Sequence, residues 1–160
     1  MRRPSAVAAE LRWQLALSAD AARLVPLCIE HAAYEQLTAW PDDAGFGARL
    51  AALLAARALH AWLLLDEADQ AQGYASATLD NATLGAYRFA HLDCLYLRPA
   101  ARGRGQGAAL MAQLKQFARQ QGCQELQWQT PPWNEGAIGF YQSQGASMRA
   151  KQRFCLPLQP

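Results

Sequence analysis

Apolar residues take every second position from Leu11 to Leu17, as Leu11, Trp13, Leu15 and Leu17, the period of a strand with one buried face. Ser18 and Asp20 then supply a helix start. Helical spacing places Leu24, Leu27, Cys28, Ala32 and Tyr34 near one face of a helix reaching about Leu37. Pro26 falls inside that span and predicts a kink or a break. Trp40 to Gly45, with Asp42 and Asp43, reads as a turn, and the Ala/Leu-rich stretch from Phe46 to Leu59 as a second helix. Strands are expected over His60–Asp66 and Gln72–Leu79, joined by a turn at Glu67–Gln70. Asp80 to Tyr87 is polar and small and reads as a loop. Arg88 to Leu97 reads as a long strand that Pro99 ends, followed by a glycine-rich loop and a helix to Gln121, which Gly122 stops. Glu125–Thr130 is a further strand, broken by Pro131-Pro132-Trp133. Asn134 caps a short helix through Ser143, and Ala146–Leu156 reads as a last strand.

This order, β-α-α-β-β-β-α-β-α-β, predicts an α/β fold with a mixed sheet, antiparallel in the first half and with a β-loop-α-β crossover in the second. Residues 1–10 read as a leader and 11–160 as a single domain. At 160 residues, 52% hydrophobic and 18% charged, the chain is long and apolar enough to bury a core. A net charge of +2 is too mild to point to nucleic acid. No apolar run approaches a membrane span, and no signal core follows the basic N-terminus, so a cytoplasmic protein is expected. Cys28, Cys94, Cys123 and Cys155 have no metal-like or paired spacing and read as free thiols. His31, His60 and His91 form no cluster, and no metal site is expected.

The candidate chemistry starts at Arg98-Pro-Ala-Ala-Arg-Gly-Arg-Gly-Gln-Gly-Ala108, between a strand and a helix. Gly103, Gly105 and Gly107 alternate there with Arg102, Arg104 and Gln106. A turn without Cβ atoms at a helix N-terminus lets backbone N–H groups converge on an anion, and the arginines add a positive field. The lysine of a phosphate-binding P-loop is missing. Gly103 to Ala108 does satisfy the dinucleotide fingerprint, but the next strand ends in Gln129-Thr130 where that fold needs an acidic residue for the ribose. A purely structural glycine turn is a further reading, and a coenzyme A pyrophosphate is the remaining option.

Two motifs carry a family resemblance. Arg102-Gly-Arg-Gly-Gln-Gly107, preceded by Leu97-Arg-Pro99, resembles the Arg/Gln-x-x-Gly-x-Gly/Ala signature of the GNAT superfamily of N-acetyltransferases. Downstream, Asn134-Glu-Gly-Ala137-Ile-Gly-Phe140-Tyr141, followed by Gly145-Ala146, resembles its Asn-x-x-Ala-x-x-Phe-Tyr motif. The resemblance covers roughly residues 10–155. It implies a mostly antiparallel central sheet with flanking helices. It also implies a slot for coenzyme A where the strand ending at Leu97 splays from Glu125–Thr130. The amides around Arg102–Ala108 would hold the pyrophosphate, and the backbone of Leu95, Tyr96 and Leu97, with Asn134 and Ala137, the pantetheine arm. Asn134 is equally suited to a plain helix cap. Tyr141 would protonate the departing thiolate, or else simply pack beside Phe140. Asp93, on the strand beside the loop, is the candidate base for the amine, or else a solvated carboxylate.

Pro132-Trp133-Asn134-Glu135, the Phe140-Tyr141 pair and Tyr34-Glu35 are similar to the diamine (spermidine/spermine-type) and thialysine acetyltransferases, in which the Tyr-Glu pair recognises a cationic amine. The sequence departs from them where they carry Glu-Asp on the strand: here stand Asp93 and Cys94. Tyr34, Glu35 and Asp93 are thus the candidate acceptor residues, with Glu30, Asp42 and Asp43 adding negative charge nearby. The resemblance implies direct transfer from acetyl-CoA to a small primary amine, a polyamine, a diamine or a lysine-like amino acid, in a homodimer using Lys151–Leu158 at its interface. Other readings are a catalytically silent CoA-binding or regulatory module, or a protein N-terminus or lysine as acceptor.

Overall fold

The computed structural model describes residues 10–37 and 44–158. The turn expected around Asp42 and Asp43, and nearly all of the expected leader, lie outside them. The chain divides into two compact units, 1–129 and 130–160.

The first unit is built on a five-stranded sheet in sequence order: β1 (Arg12–Ala16), β2 (His60–Leu65), β3 (Ala71–Ala82), β4 (Tyr87–Leu97) and β5 (Glu125–Trp128). The first four strands are antiparallel neighbours, and β5 runs parallel to β4. Helices α1 (Ala21–Tyr34) and α2 (Phe46–Ala55) follow β1, and α3 (Gln106–Gln120) makes the crossover to β5. β2 is buried over nearly its whole length. Because strand side chains alternate, Ala61, Leu63 and Leu65 join Leu24, Leu27, Leu50 and Leu54 in the α1/α2 core. Trp62 and His60 lie instead against Phe117 of α3, at ring distances of 5.2 and 4.8 Å. Leu110, Met111 and Leu114 are fully buried on that helix. No described helix is long and apolar enough to cross a membrane.

Three local expectations change. α1 runs through Pro26 without interruption. The bond that proline cannot make is to Ala22, in the opening turn of the helix, where a missing bond disturbs least. The loop expected at Asp80–Tyr87 is shorter. Asp80, Asn81 and Ala82 pair with Phe89, Arg88 and Tyr87, because ladder bonds extend the hairpin past the core even where both faces are polar. The second helix stops at Ala55, where Arg57 turns left-handed (φ 54°) and Ala58 N–H bonds the Leu53 carbonyl at 3.0 Å, a tight terminal hook.

The second unit contains α4 (Glu135–Ser143). The strand expected over Ala146–Leu156 is not formed: residues 146–158 are irregular, with Phe154, Leu156 and Leu158 exposed. Alternation marks a segment able to pair, but a strand also needs a ladder partner, and none is paired with it among the described residues.

Candidate active site

The glycine-rich loop opens α3. Gly103 and Gly105 have φ of 68° and 72°, in the left-handed region, and a Cβ at either would meet nothing within 4 Å. Backbone conformation, and not lack of room, therefore calls for glycine there. Gly105 caps the helix, and the first bond along it runs from Ala109 N–H to the Gly105 carbonyl at 3.0 Å. The amides of Gln106, Gly107 and Ala108 consequently point out of the helix end, the arrangement that binds phosphate oxygens. Trp13 of β1 donates its indole N–H to the Gln106 carbonyl at 3.0 Å and moors this turn to the sheet.

The Arg102 side chain is held at the end of β4. Its Nε donates to the Leu97 carbonyl at 2.8 Å, and its guanidinium lies 4.9 Å from the centre of the Tyr34 ring and 5.8 Å from that of Tyr96. It joins the end of β4 to the end of α1 by cation–π contact. Next to it, Arg98 grips Glu30 with two bonds, of 3.0 and 2.7 Å, and that pairing holds the Glu30 carboxyl below its usual range. Glu30 is therefore committed to an ion pair with β4.

β4 pairs with β5 only from Phe89 to Leu92, although it continues to Leu97. β5 ends at Trp128, the partner of Leu92, and the stretch of β4 that includes Leu95, Tyr96 and Leu97 keeps β3 as its one sheet neighbour among the described residues. Asp93 is the first residue past that last pair. Ser76 of β3 faces Cys94 and Ala77 faces Leu92, so Asp93 is an extra residue, a β-bulge. Bulges re-aim side chains at functional edges. The Asp93 side chain is 51% exposed, with His91 Nε2 at 4.0 Å and the Cys94 thiol, its donor, at 3.7 Å.

Asp93 also lines a cavity of about 230 Å³ between the sheet and the helices α1 and α2. Leu24, Phe46, Leu50 and Ala61 give it apolar walls; Glu35, His31, Tyr74 and Ser76 are polar lining groups. The structure thus brings Glu35 and Asp93 to one cavity, while Tyr34 packs on Arg102. Within this cavity the sequence reading passed over a hydrogen-bonded chain. His31 Nδ1 lies 2.9 Å from the Tyr74 hydroxyl and Nε2 lies 3.2 Å from Glu35 Oε1. His31 and Tyr74 are only 8% and 4% exposed. Burial pushes the His31 ring down from its ordinary value, against the pull of Glu35, and pushes the Tyr74 hydroxyl well up. Burial also raises both neighbouring thiols, Cys28 and Cys94, the latter to about 12. His31 and Glu35, four apart on a helix, were the one available signal of this network.

In the second unit, Asn134 accepts a hydrogen bond from Ala137 N–H at 3.1 Å and caps α4, so the capping role expected of it is present. Tyr141 lies on α4, half-buried, with its ring 5.2 Å from that of Phe140.

Comparison with known proteins accords with this geometry. Over 54 residues the chain is 35% identical to a thialysine N-epsilon-acetyltransferase of Caenorhabditis elegans, and over 56 residues 30% identical to one of Bos taurus. These matches span only about a third of the length of either relative: 34% and 33%, against 34% and 35% of this chain. Among solved structures, an aminoglycoside acetyltransferase from an uncultured soil metagenomic sample, in complex with sisomicin, superposes with a TM-score of 0.79 at 17% identity, over 93% of this chain and 97% of the other. A probable acetyltransferase gives 0.78 at 22% identity, over 93% and 99%. At such identities the likeness is one of fold. The family model described as the acetyltransferase (GNAT) family matches residues 26–146, most of the sheet and all four helices in whole or in part, and the chain belongs to that family.

Proposed function

We propose that this chain is an N-acetyltransferase that moves an acetyl group from acetyl-CoA to a primary amine of a small molecule by direct transfer in a ternary complex. The observation that carries this reading is the position of Asp93. It is the first residue past the last β4–β5 pair, and it lines the cavity between the sheet and α1/α2. A donor arm lying along β4 past its last pair with β5 and an amine entering the cavity would meet there.

The residues present suit coenzyme A. The open amides of Gln106, Gly107 and Ala108 offer donors to a pyrophosphate, and the β4 edge past Leu92 offers backbone groups to an amide-bearing arm. The bound donor supplies an activated acetyl thioester. Glu35 and Asp93 give the cavity a negative end that attracts an ammonium group, with apolar walls for its carbon chain. Two proton acceptors are available for that ammonium, Asp93 itself and the buried network around His31. Tyr141 is assigned as the acid that protonates the departing sulfur, on the strength of its place in the Asn134–Tyr141 motif. The names of the relatives support a lysine-like acceptor. The four unpaired cysteines support a reducing, cytoplasmic setting, and the exposed Phe154, Leu156 and Leu158 support a homodimer.

The test is incubation with acetyl-CoA and a panel of diamines, polyamines, lysine analogues and aminoglycosides, following release of the coenzyme thiol. Amine-dependent release is the expected result. Tight coenzyme binding without release for any amine would overturn it in favour of a silent binding module.

A further inference from the structure

The cavity on the α1/α2 side of the sheet ends in side chains whose hydrogen bonds have a definite direction. Glu35, as a carboxylate, can only accept, so its bond to His31 places the ring proton on Nε2. Nδ1 is then an acceptor, and the Tyr74 hydroxyl must donate to it. The Cys28 and Cys94 thiols also lie within hydrogen-bond reach of the Tyr74 oxygen, and Cys94 has Asp93 as its acceptor, so the Cys28 thiol and a donor inside the cavity that Tyr74 lines share its lone pairs. The ring is fixed in this setting by stacking on Tyr96, 5.3 Å away and inclined by 22°. At the other end the Glu35 side chain is 32% exposed, so the chain of groups leads from the cavity to solvent.

We propose that Tyr74, His31 and Glu35 form a proton relay that takes the proton of the acceptor's ammonium group and delivers it to water. The proposal rests on the acetyltransferase reading above and deepens it. An N–H bond of R–NH3+ breaks and its proton passes to the Tyr74 oxygen while the hydroxyl's own proton moves to His31 Nδ1. The imidazolium so formed is held by Glu35. The freed lone pair forms the C–N bond to the thioester carbonyl carbon and the C–S bond breaks. The departing sulfur takes up one proton as the nitrogen gives up its second, an exchange for which Tyr141 is the assigned acid on the strength of its motif. After the product leaves, the imidazolium returns its Nδ1 proton through Tyr74 to water in the cavity, which restores the ring with its proton on Nε2 and releases one proton per turnover.

The surroundings suit a relay. Burial keeps the His31 ring neutral near pH 7 and ready to accept. The raised Tyr74 hydroxyl conducts a proton without ever becoming a phenolate. The groups facing His31 are Cys28 and Glu35 from α1, Tyr74 from β3, and Asp93, Cys94 and Tyr96 from β4. Phe46 and Leu50 of α2 bring no charge to the cavity. Both thiols stay protonated at neutral pH, which removes them as competing bases. Asp93, half exposed at the bulge, is left to hold the ammonium.

The test compares wild type with His31→Gln, which keeps an amide able to bridge Tyr74 and Glu35, and with Glu35→Gln at the exposed end. Wild-type kcat is expected to fall on acidification with a midpoint below the ordinary histidine value of about 6.5. In His31→Gln, kcat drops about 100-fold and that acid limb disappears, with the KM for acetyl-CoA unchanged. In Glu35→Gln, kcat falls about tenfold and the limb moves to lower pH, because a charge that favours the imidazolium is gone. Nitrogen-15 NMR of the free protein at pH 7 is expected to show His31 neutral, with the proton on Nε2. A proton on Nδ1, or a His31→Gln enzyme within about threefold of wild type with its acid limb intact, overturns the relay. Should His31→Gln fail to fold, the Glu35→Gln limb and the tautomer decide the matter. Wild type inert toward every amine overturns the acetyltransferase reading instead, and the tautomer still judges the relay.

Discussion

The glycine loop and the α1/α2 cavity, donor and acceptor sites on the proposed reading, lie in the same unit and are made of different material. The loop is backbone: Gly103 and Gly105 in left-handed conformations and the open amides of the first turn of α3. It is exposed and contiguous in sequence, and it can hold the same phosphate groups whatever the acceptor. The cavity is side chains: Glu35 and His31 from α1, Phe46 and Leu50 from α2, Tyr74 from β3 and Asp93 from β4. It is partly buried and spread over much of the chain, so each packing change alters what it accepts. A family can thus keep one donor grip and vary its acceptors, because the two sites draw on different parts of the fold.

Substitutions should separate the two regions. The largest effect is expected from a residue of neither, Tyr141→Phe, with kcat about 100-fold lower and acetyl-CoA affinity, by calorimetry, unchanged. An unchanged kcat would remove Tyr141 as the acid. Gly105→Val forces a β-branched residue into the left-handed region, at a cost of about 1–2 kcal/mol. The KM for acetyl-CoA should rise about tenfold while that for the amine stays put. Asp93→Asn should do the converse, raising the amine KM several-fold without touching the donor. If either variant moves both constants equally, the division fails.

Arg102→Leu probes where the regions meet, since its guanidinium spans Tyr34 of the acceptor helix and Tyr96 of the donor strand. A cation–π contact at an exposed site is worth about 0.5–1 kcal/mol, so both KM values should rise by a factor of about two to five. The smallest effect concerns stability. Arg98 depresses the Glu30 pKa in the folded state. Its contribution is therefore full above the unfolded glutamate value and is lost as pH falls through the depressed one. The Tm of wild type should decline over that acidic window, and Glu30→Gln should flatten that part of the decline.

The same contrast governs what could be read from the chain. The loop was legible because its glycines, its helix and the strand before it are consecutive, and backbone geometry follows from local residue types. Asn134 as a cap followed from local chemistry. Tyr74 gave no signal, because its partner His31 is 43 residues away and nothing in a strand sequence announces a buried phenol's acceptor. The rings that the Arg102 guanidinium covers, on α1 and β4, were illegible for the same reason. Residues 146–158 show the opposite error, a strand pattern without a partner in the described chain.

The bulge at Asp93 places the sheet's regularity and its chemistry in opposition. Leu92 already faces Ala77 and Cys94 already faces Ser76, so deleting Asp93 would close the β3–β4 ladder with both flanking registers preserved. The shortened protein should melt at a higher temperature and bind its amine more weakly. In those terms Asp93 is a surplus residue for the ladder that the proposed reading needs for the amine, and selection for stability alone would remove it.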